Sequence, residues 1–221
     1  MQRRERMKVT KLFLASSNPG KLGEYLELAR DSGVAVELLP RLGEFPSFDE
    51  SAPTFAENSA GKALHYSRFT PEVVLADDSG LVVPGLGGAP GVHSARYAGP
   101  GASDADRVEK LLREMRGKVG AERRGRFVCV TAVAQQGRAI AVVSDLAHGV
   151  IASERRGAGG FGYDPVFLFE ELGRTYAELT RDEKNDYSHR GKSFRKLLYM
   201  ISAGNIAPSG SAGASNSLPA K

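Results

Sequence analysis

Residues 16–21 read SSNPGK, with two hydroxyls, an amide and a lysine gathered around a Pro-Gly turn just after the apolar run VTKLFLA. Such a turn can hold a chain of phosphates. Ser16, Ser17 and Asn18 bring polar side chains, a helix opening at Pro19-Gly20 brings backbone N–H groups, and Lys21 brings a positive charge one turn in. The turn is not a Walker A loop. Leu22 stands where that motif needs a hydroxyl for Mg2+, and Ala15 stands where its first glycine belongs. Taken alone, the segment reads more readily as a well-capped helix start with a solvent-exposed lysine.

Four further stretches carry chemical potential. In LADDSGL (75–81) two carboxylates follow an apolar strand, where α/β folds place ligands; adjacent strand residues face opposite ways, so one of Asp77 and Asp78 at most can readily face a given site. The alternative is that both cap a turn through side-chain to backbone bonds. LGGAPGVHSARYAGPGAS (86–103) is a loop long enough to signal function or disorder, and His93, Arg96 and Tyr97 argue for order. RRGAGGFGYDPVF (155–167) sets Phe161, Gly162, Tyr163 and Asp164 on a glycine-rich loop, where an aromatic can stack a flat ring or simply fill the core. EKNDYSHRGKSF (183–194) gathers Lys184, His189, Arg190 and Lys192 as either an anion site or a solvated basic face.

Composition bounds the remaining chemistry. The single cysteine, Cys129, excludes an internal disulfide and sits in a strand-like run, FVCVTAVA, that marks it as a core residue. The four histidines show no metal-ligand spacing, so a metal here would be a hard cation held by carboxylates. No run approaches the ~20 apolar residues of a membrane span, and the basic start MQRRERMKVT lacks the apolar stretch of a secretory signal, which points to the cytoplasm. The net charge of +4 suits a polyanion, but Arg123-Arg124-Gly125-Arg126 reads as a solvated loop before a strand and lacks interleaved aromatics, so nucleic acid is not an expected partner.

The elements that must position these residues are set by periodicity and caps. VTKLFLAS predicts a buried strand, and Asn18 with Pro19 predicts a capped helix through about Arg30. VAVELL predicts another strand, and Thr54 to Glu57 a capping box opening a helix to about Arg68. EVVLAD and LVVP read as two strands separated by a break at residues 77–80. Val108, Leu111, Leu112 and Met115 give helical spacing over 104–116. RFVCVTAVAQ and RAIAVVSDLAHGVI flank Gln136-Gly137 as a hairpin, Thr180 and Glu183 form a second capping box, and SFRKLLYMIS closes the fold as a helix. The folded unit is expected at 8–203, with a leader at 1–7 and a Gly/Ser/Ala-rich tail at 204–221. Interleaved helices and strands with an inserted hairpin give an α/β class with a mixed sheet.

Taken together, SSNPGK (16–21), TFAENSAGKA (54–63), ADDSGL (76–81), LGGAPGVHSARYAG (86–99), GGFGYDPVF (159–167) and ELTRDEKNDYSHRGK (178–192) closely resemble the inosine/xanthosine triphosphate pyrophosphatases, enzymes that remove non-canonical purine nucleotides. The resemblance implies an elongated two-lobed α/β fold with a long mixed twisted sheet, an active-site cleft between the lobes, Mg2+ as cofactor and a homodimer. It implies that Ser16, Ser17, Asn18, Pro19, Gly20, Lys21 and Lys62 bind the triphosphate and that Asp78 is proton acceptor and metal ligand. Glu50 falls near the family's metal-binding glutamate, in a loop less glycine-rich than usual. Ser79, Phe161, Gly162, Tyr163, Asp164, Lys184, His189 and Arg190 would contact substrate, the last two reading the purine.

The implied reaction is hydrolysis of ITP, dITP or XTP to monophosphate and pyrophosphate. Selectivity would rest on the 6-position, where hypoxanthine and xanthine carry an acceptor oxygen and adenine a donor amine. Guanine shares the 6-oxo group, so its rejection must be managed near its 2-amino group. The alternatives are a pyrophosphatase for other modified nucleotides and a non-catalytic nucleotide-binding protein.

Overall fold

The computed structural model describes residues 9–204; the expected leader at 1–7 and residues 205–221 of the expected tail lie outside that range. The order is β1 (Lys11–Leu14), α1 (Pro19–Ala29), β2 (Ala35–Leu38), α2 (Phe55–Tyr66), β3 (Val74–Val82), α3 (Asp104–Glu114), β4 (Arg124–Gln135), β5 (Arg138–Ile151), β6 (Phe167–Phe169), β7 (Arg174–Thr175), α4 (Arg181–Tyr187) and α5 (His189–Ser202), with short 3-10 turns between. The strands form one seven-stranded mixed sheet ordered β2-β1-β3-β4-β5-β6-β7. β1 runs parallel to β2 and β3, and every later pair is antiparallel. The hairpin turn holds Gln136 and Gly137 at φ of 49° and 74°, the left-handed pair that a two-residue hairpin loop requires.

Strand alternation divides the core. Leu12, Leu14 and Leu75 meet Tyr25, Phe194 and Leu197 under α1 and α5. Phe13, Val74 and Ala76 meet Ala63 and Tyr66 of α2 on the opposite face. A third cluster, with Leu81, Leu111, Phe127, Phe167 and Tyr176, packs α3 against the far end of the sheet. The period of two also decides which way the acidic pair of β3 faces: Asp77 continues the parity of Leu75, and Asp78 that of Ala76.

The structure corrects three expectations. β3 is one continuous strand through residues 77–80, because β4 pairs with every residue from Val74 to Val82 and neighbouring side chains satisfy the two carboxylates, so no break is needed. Asp77 and Asp78 therefore lie mid-strand rather than at a strand end. Arg123 is not a solvated loop residue: its guanidinium donates to the carbonyls of Met115, Lys118, Ile151 and Ala152, tying α3 to the end of β5. Finally, α5 starts at His189, not Ser193, because Ser188 caps it by accepting from the N–H of Gly191.

Candidate active site

Asn18 caps α1, its Oδ1 accepting from the N–H groups of Gly20 and Lys21 at 2.9 and 3.2 Å. The cap places Lys21 so that its Nζ lies 3.1 Å from Oδ1 of Asp77. The helix N–H groups expected to hold phosphate are thus already occupied, which leaves Ser16, Ser17, the Asn18 amide and Lys21 lining a cleft of about 570 Å3. Pro19 and Gly20 do not line it. Gly20 instead admits Phe161: a Cβ there would stand 2.7 Å from the ring.

Asp77 and Asp78 do face opposite ways. Asp77 is fully buried on the α1/α5 face, between Lys21 and Arg190, whose Nη2 is 3.0 Å from its Oδ2. Burial alone would raise its pKa, but Lys21 and Arg190 outweigh that and hold it well below the usual carboxylate range. Asp78 lines the cleft on the α2 face, its Oδ2 accepting from the Asn58 amide at 3.0 Å and its Oδ1 from the Ser79 N–H at 3.0 Å. Here burial wins over the nearby Lys21 and the Asn58 bond, and the Asp78 pKa is raised. Beside it the buried Nζ of Lys62 pairs with Oε1 of Glu50 at 2.7 Å. Burial disfavours the Lys62 charge, yet Glu50 outweighs it and raises the pKa.

The other end of the cleft is built by the residue 160–164 loop with α4 and α5. Asp164 is buried and accepts from the Phe161 N–H at 2.9 Å and from Lys184 Nζ at 2.5 Å. Gly160, at φ 72°, is obligatory, since a Cβ would sit 1.9 Å from that carboxylate. The Gly162 N–H donates to Asp104 Oδ2 at 2.7 Å. Tyr163 packs in the core, and its hydroxyl donates to the Ser94 carbonyl at 2.8 Å. Phe161 remains half-buried, with Lys184 Nζ 5.0 Å and Arg190 Cζ 5.8 Å from its ring centre.

Arg190 is one of the most buried side chains described, and it also donates to Ser79 Oγ at 2.8 Å and to Glu24. His189 stacks on Phe127, ring centres 4.6 Å apart and 9° from parallel. Burial and the adjacent Arg190 push its pKa well below 6.5, so it is a neutral imidazole at pH 7, and its buried Nδ1 has no hydrogen-bond partner among the described residues.

The sequence-predicted residues thus converge on one cleft, apart from Pro19 and Gly20. Two participants escape the sequence reading. Glu24 places Oε1 2.5 Å from Lys184 and bonds Arg190 with Oε2. Burial would raise its pKa, but Arg190 and Lys184 bring it down to about 2. Asn58, the Asp78 partner, is the second. Helical position is the one signal that could have found Glu24, which falls on the Lys21 face one turn on.

Comparison with known proteins places the chain. A model of the Ham1 family matches residues 12–200. The dITP/XTP pyrophosphatase of Geobacillus kaustophilus is 50% identical over 186 residues, 84% of this chain and 91% of that protein. The dITP/XTP pyrophosphatase of Bacillus subtilis is 42% identical over 191 residues, 86% and 96% of the two chains. Among solved structures, a HAM1 protein from Coxiella burnetii superposes with a TM-score of 0.77 at 38% identity, covering 87% of this chain and 98% of its own. With the family model, the sequence identities and the fold agreeing over nearly the whole described range, this chain belongs to the Ham1 family.

Proposed function

We propose that this protein hydrolyses the non-canonical purine nucleoside triphosphates ITP, dITP and XTP to the monophosphate and pyrophosphate, with Mg2+, and so keeps deaminated purines out of DNA and RNA. One observation supports this most directly. A single cleft joins an ionisable cluster, Lys21, Lys62, Glu50 and a raised-pKa Asp78, to an end built of Phe161, Lys184, neutral His189 and Arg190. The first suits a triphosphate and the second a flat base with acceptor groups. The named function of the two relatives agrees with both.

Asp78 and Glu50 fit a hard cation. Both line the cleft, and Glu50 is near enough for its charge to add to the raised Asp78 pKa. Mg2+ characteristically takes one or two carboxylates and completes its shell with substrate phosphates and water. Lys21, Lys62, Lys184 and Arg190 are each already paired with carboxylates, so a triphosphate brings charge that these side chains cannot balance alone. When bound, Mg2+ would offset that charge and polarise the phosphates.

The chain's own residues do the rest. Asp78 keeps lone pairs beyond the two bonds from Asn58 and Ser79, and its raised pKa makes it a better acceptor for the proton of a water attacking the α-phosphorus. Lys21 and Lys62 bear on the phosphates, so catalysis is mostly positioning and charge stabilisation. At the base end, the N–H groups left over on Arg190 and Lys184 are donors that match a 6-oxo group and leave a 6-amino group unmatched.

A cytoplasmic homodimer completes the proposal. An enzyme of free nucleotides belongs with the nucleotide pool, no helix of the described residues is long and apolar enough to cross a membrane, and exposed Val142, Leu146 and Tyr199 offer apolar surface for a second copy. The deciding experiment is a screen of nucleoside triphosphates for released pyrophosphate, with and without Mg2+. Turnover of ITP, dITP and XTP far above ATP is expected; release of orthophosphate instead, or binding without turnover in Mg2+, overturns the proposal.

A further inference from the structure

Every lysine and arginine lining the cleft is paired with a carboxylate except one. Lys21 has Asp77, Lys62 has Glu50, Lys184 has Glu24 and Asp164, Arg190 has Glu24 and Asp77, and Arg107 has Asp104. Arg96 has none within salt-bridge range among the described residues, although it too lines the cleft. Its bonds go to neutral groups: Nη2 donates to the Glu50 carbonyl at 2.9 Å and Nε to the His93 Nδ1 at 3.3 Å. Its Nη1 makes no hydrogen bond to any described residue. A carbonyl and an imidazole engage donors without cancelling the charge, so Arg96 keeps a positive charge that the other cleft cations have shared away.

The backbone beneath Arg96 is unusually well fixed for a surface loop. Ser94 Oγ accepts from the Leu81 N–H at 2.9 Å and donates to the Gly91 carbonyl at 2.7 Å, and the Ser94 carbonyl accepts from the Tyr163 hydroxyl. The Ala95 carbonyl accepts from Arg107 at 3.0 Å. A rigid base therefore carries an exposed guanidinium whose partners cost little to exchange. The contact with Glu50 puts the guanidinium beside the Glu50–Lys62 pair, where the phosphates are proposed to bind.

The geometry points to Arg96 as a further substrate-binding residue that takes the outer phosphates, which depart as pyrophosphate. This rests on the reaction proposed above. The α–β bridge breaks as water attacks the α-phosphorus, the electron pair stays with the pyrophosphate oxygen, and a guanidinium on the outer phosphates stabilises the charge that grows there. Arg suits this task because its fork can bind two phosphate oxygens at once.

The test is calorimetric titration of the full-length wild type, Arg96→Ala and Arg96→Lys with pyrophosphate and, separately, with IMP, in excess Mg2+. It requires no turnover, so its outcome stands apart from that of the pyrophosphate-release screen. Arg96→Ala is expected to weaken pyrophosphate binding at least tenfold while IMP binding stays within twofold, with Arg96→Lys between. The kcat/KM for ITP should fall in the same order. Unchanged pyrophosphate affinity, or an equal loss for IMP, overturns the assignment; the second result would make Arg96 a strut for the Glu50 loop. Arg96 is exposed, so the thermal midpoint of each variant should match the wild type.

Discussion

Asp77 and Asp78 are neighbours in one strand with opposite environments: Asp77 is buried between Lys21 and Arg190 with its pKa held down, and Asp78 lines the cleft with its pKa raised. Their asparagine variants should therefore separate stability from catalysis. Asp77→Asn leaves Lys21 without its counter-charge and Arg190 with Glu24 alone, and is expected to destabilise by about 3–5 kcal/mol. A urea-unfolding midpoint indistinguishable from wild type would show that Asp77 does not balance them.

Asp78→Asn should do the reverse. The carboxylate is held against its own burial, so an uncharged isostere relieves desolvation, and unfolding is expected to be unchanged or slightly harder. The kcat on ITP should fall by a factor on the order of 10² or more if Asp78 takes the proton. Near-normal turnover would remove it from the reaction.

Much of this arrangement was legible in the sequence because it is local. The Asn18 cap, the opposite facing of Asp77 and Asp78, the Thr180–Glu183 box and the Gln136-Gly137 turn each depend on a few consecutive residues. Glu24 was not legible: its partner Arg190 lies 166 positions away, and a glutamate in an amphipathic helix reads as solvated surface. Arg123 shows the same limit, since only the folded chain brings four carbonyls to its guanidinium. The supposed break at 77–80 failed because partners far along the chain satisfy polar residues in mid-strand.

Glu24 bridges Lys184 and Arg190 and so fixes the spacing of their remaining N–H donors. Glu24→Gln keeps the shape but not the charge. The ITP-to-ATP ratio of kcat/KM should fall about tenfold, with KM for ITP rising more than kcat falls. A uniform loss of activity on all nucleotides would assign Glu24 to folding alone.

His189 makes stability depend on pH. Its folded pKa is depressed, so below 6.5 the unfolded chain takes up a proton that the folded chain refuses. The stabilisation is complete above pH 6.5 and is lost as pH falls, by up to about 1.4 kcal/mol per pH unit. His189→Gln should flatten the decline in unfolding free energy between pH 7 and 5.5; an equal slope in both proteins would refute a neutral buried imidazole.

Gly20 tests whether the phosphate turn and the base loop act together. It lies in the first turn of α1, where alanine gains less than the roughly 1 kcal/mol it gains in a helix interior. Its Cβ would fall 2.7 Å from the Phe161 ring, which must move. Crowding of this kind costs about 1–3 kcal/mol, so Gly20→Ala should unfold modestly more easily than wild type. Displacing a stacking surface by about an ångström can cost up to ~10² in rate, so kcat/KM for ITP should fall tenfold or more while the protein stays folded. Phe161→Ala removes the ring and hence the collision. In the double variant the methyl should add little to the loss from Phe161→Ala, whereas independent sites would give the product of the single effects. Multiplying losses would show that Gly20 serves the phosphate turn alone and that its contact with Phe161 does not couple the two ends of the cleft.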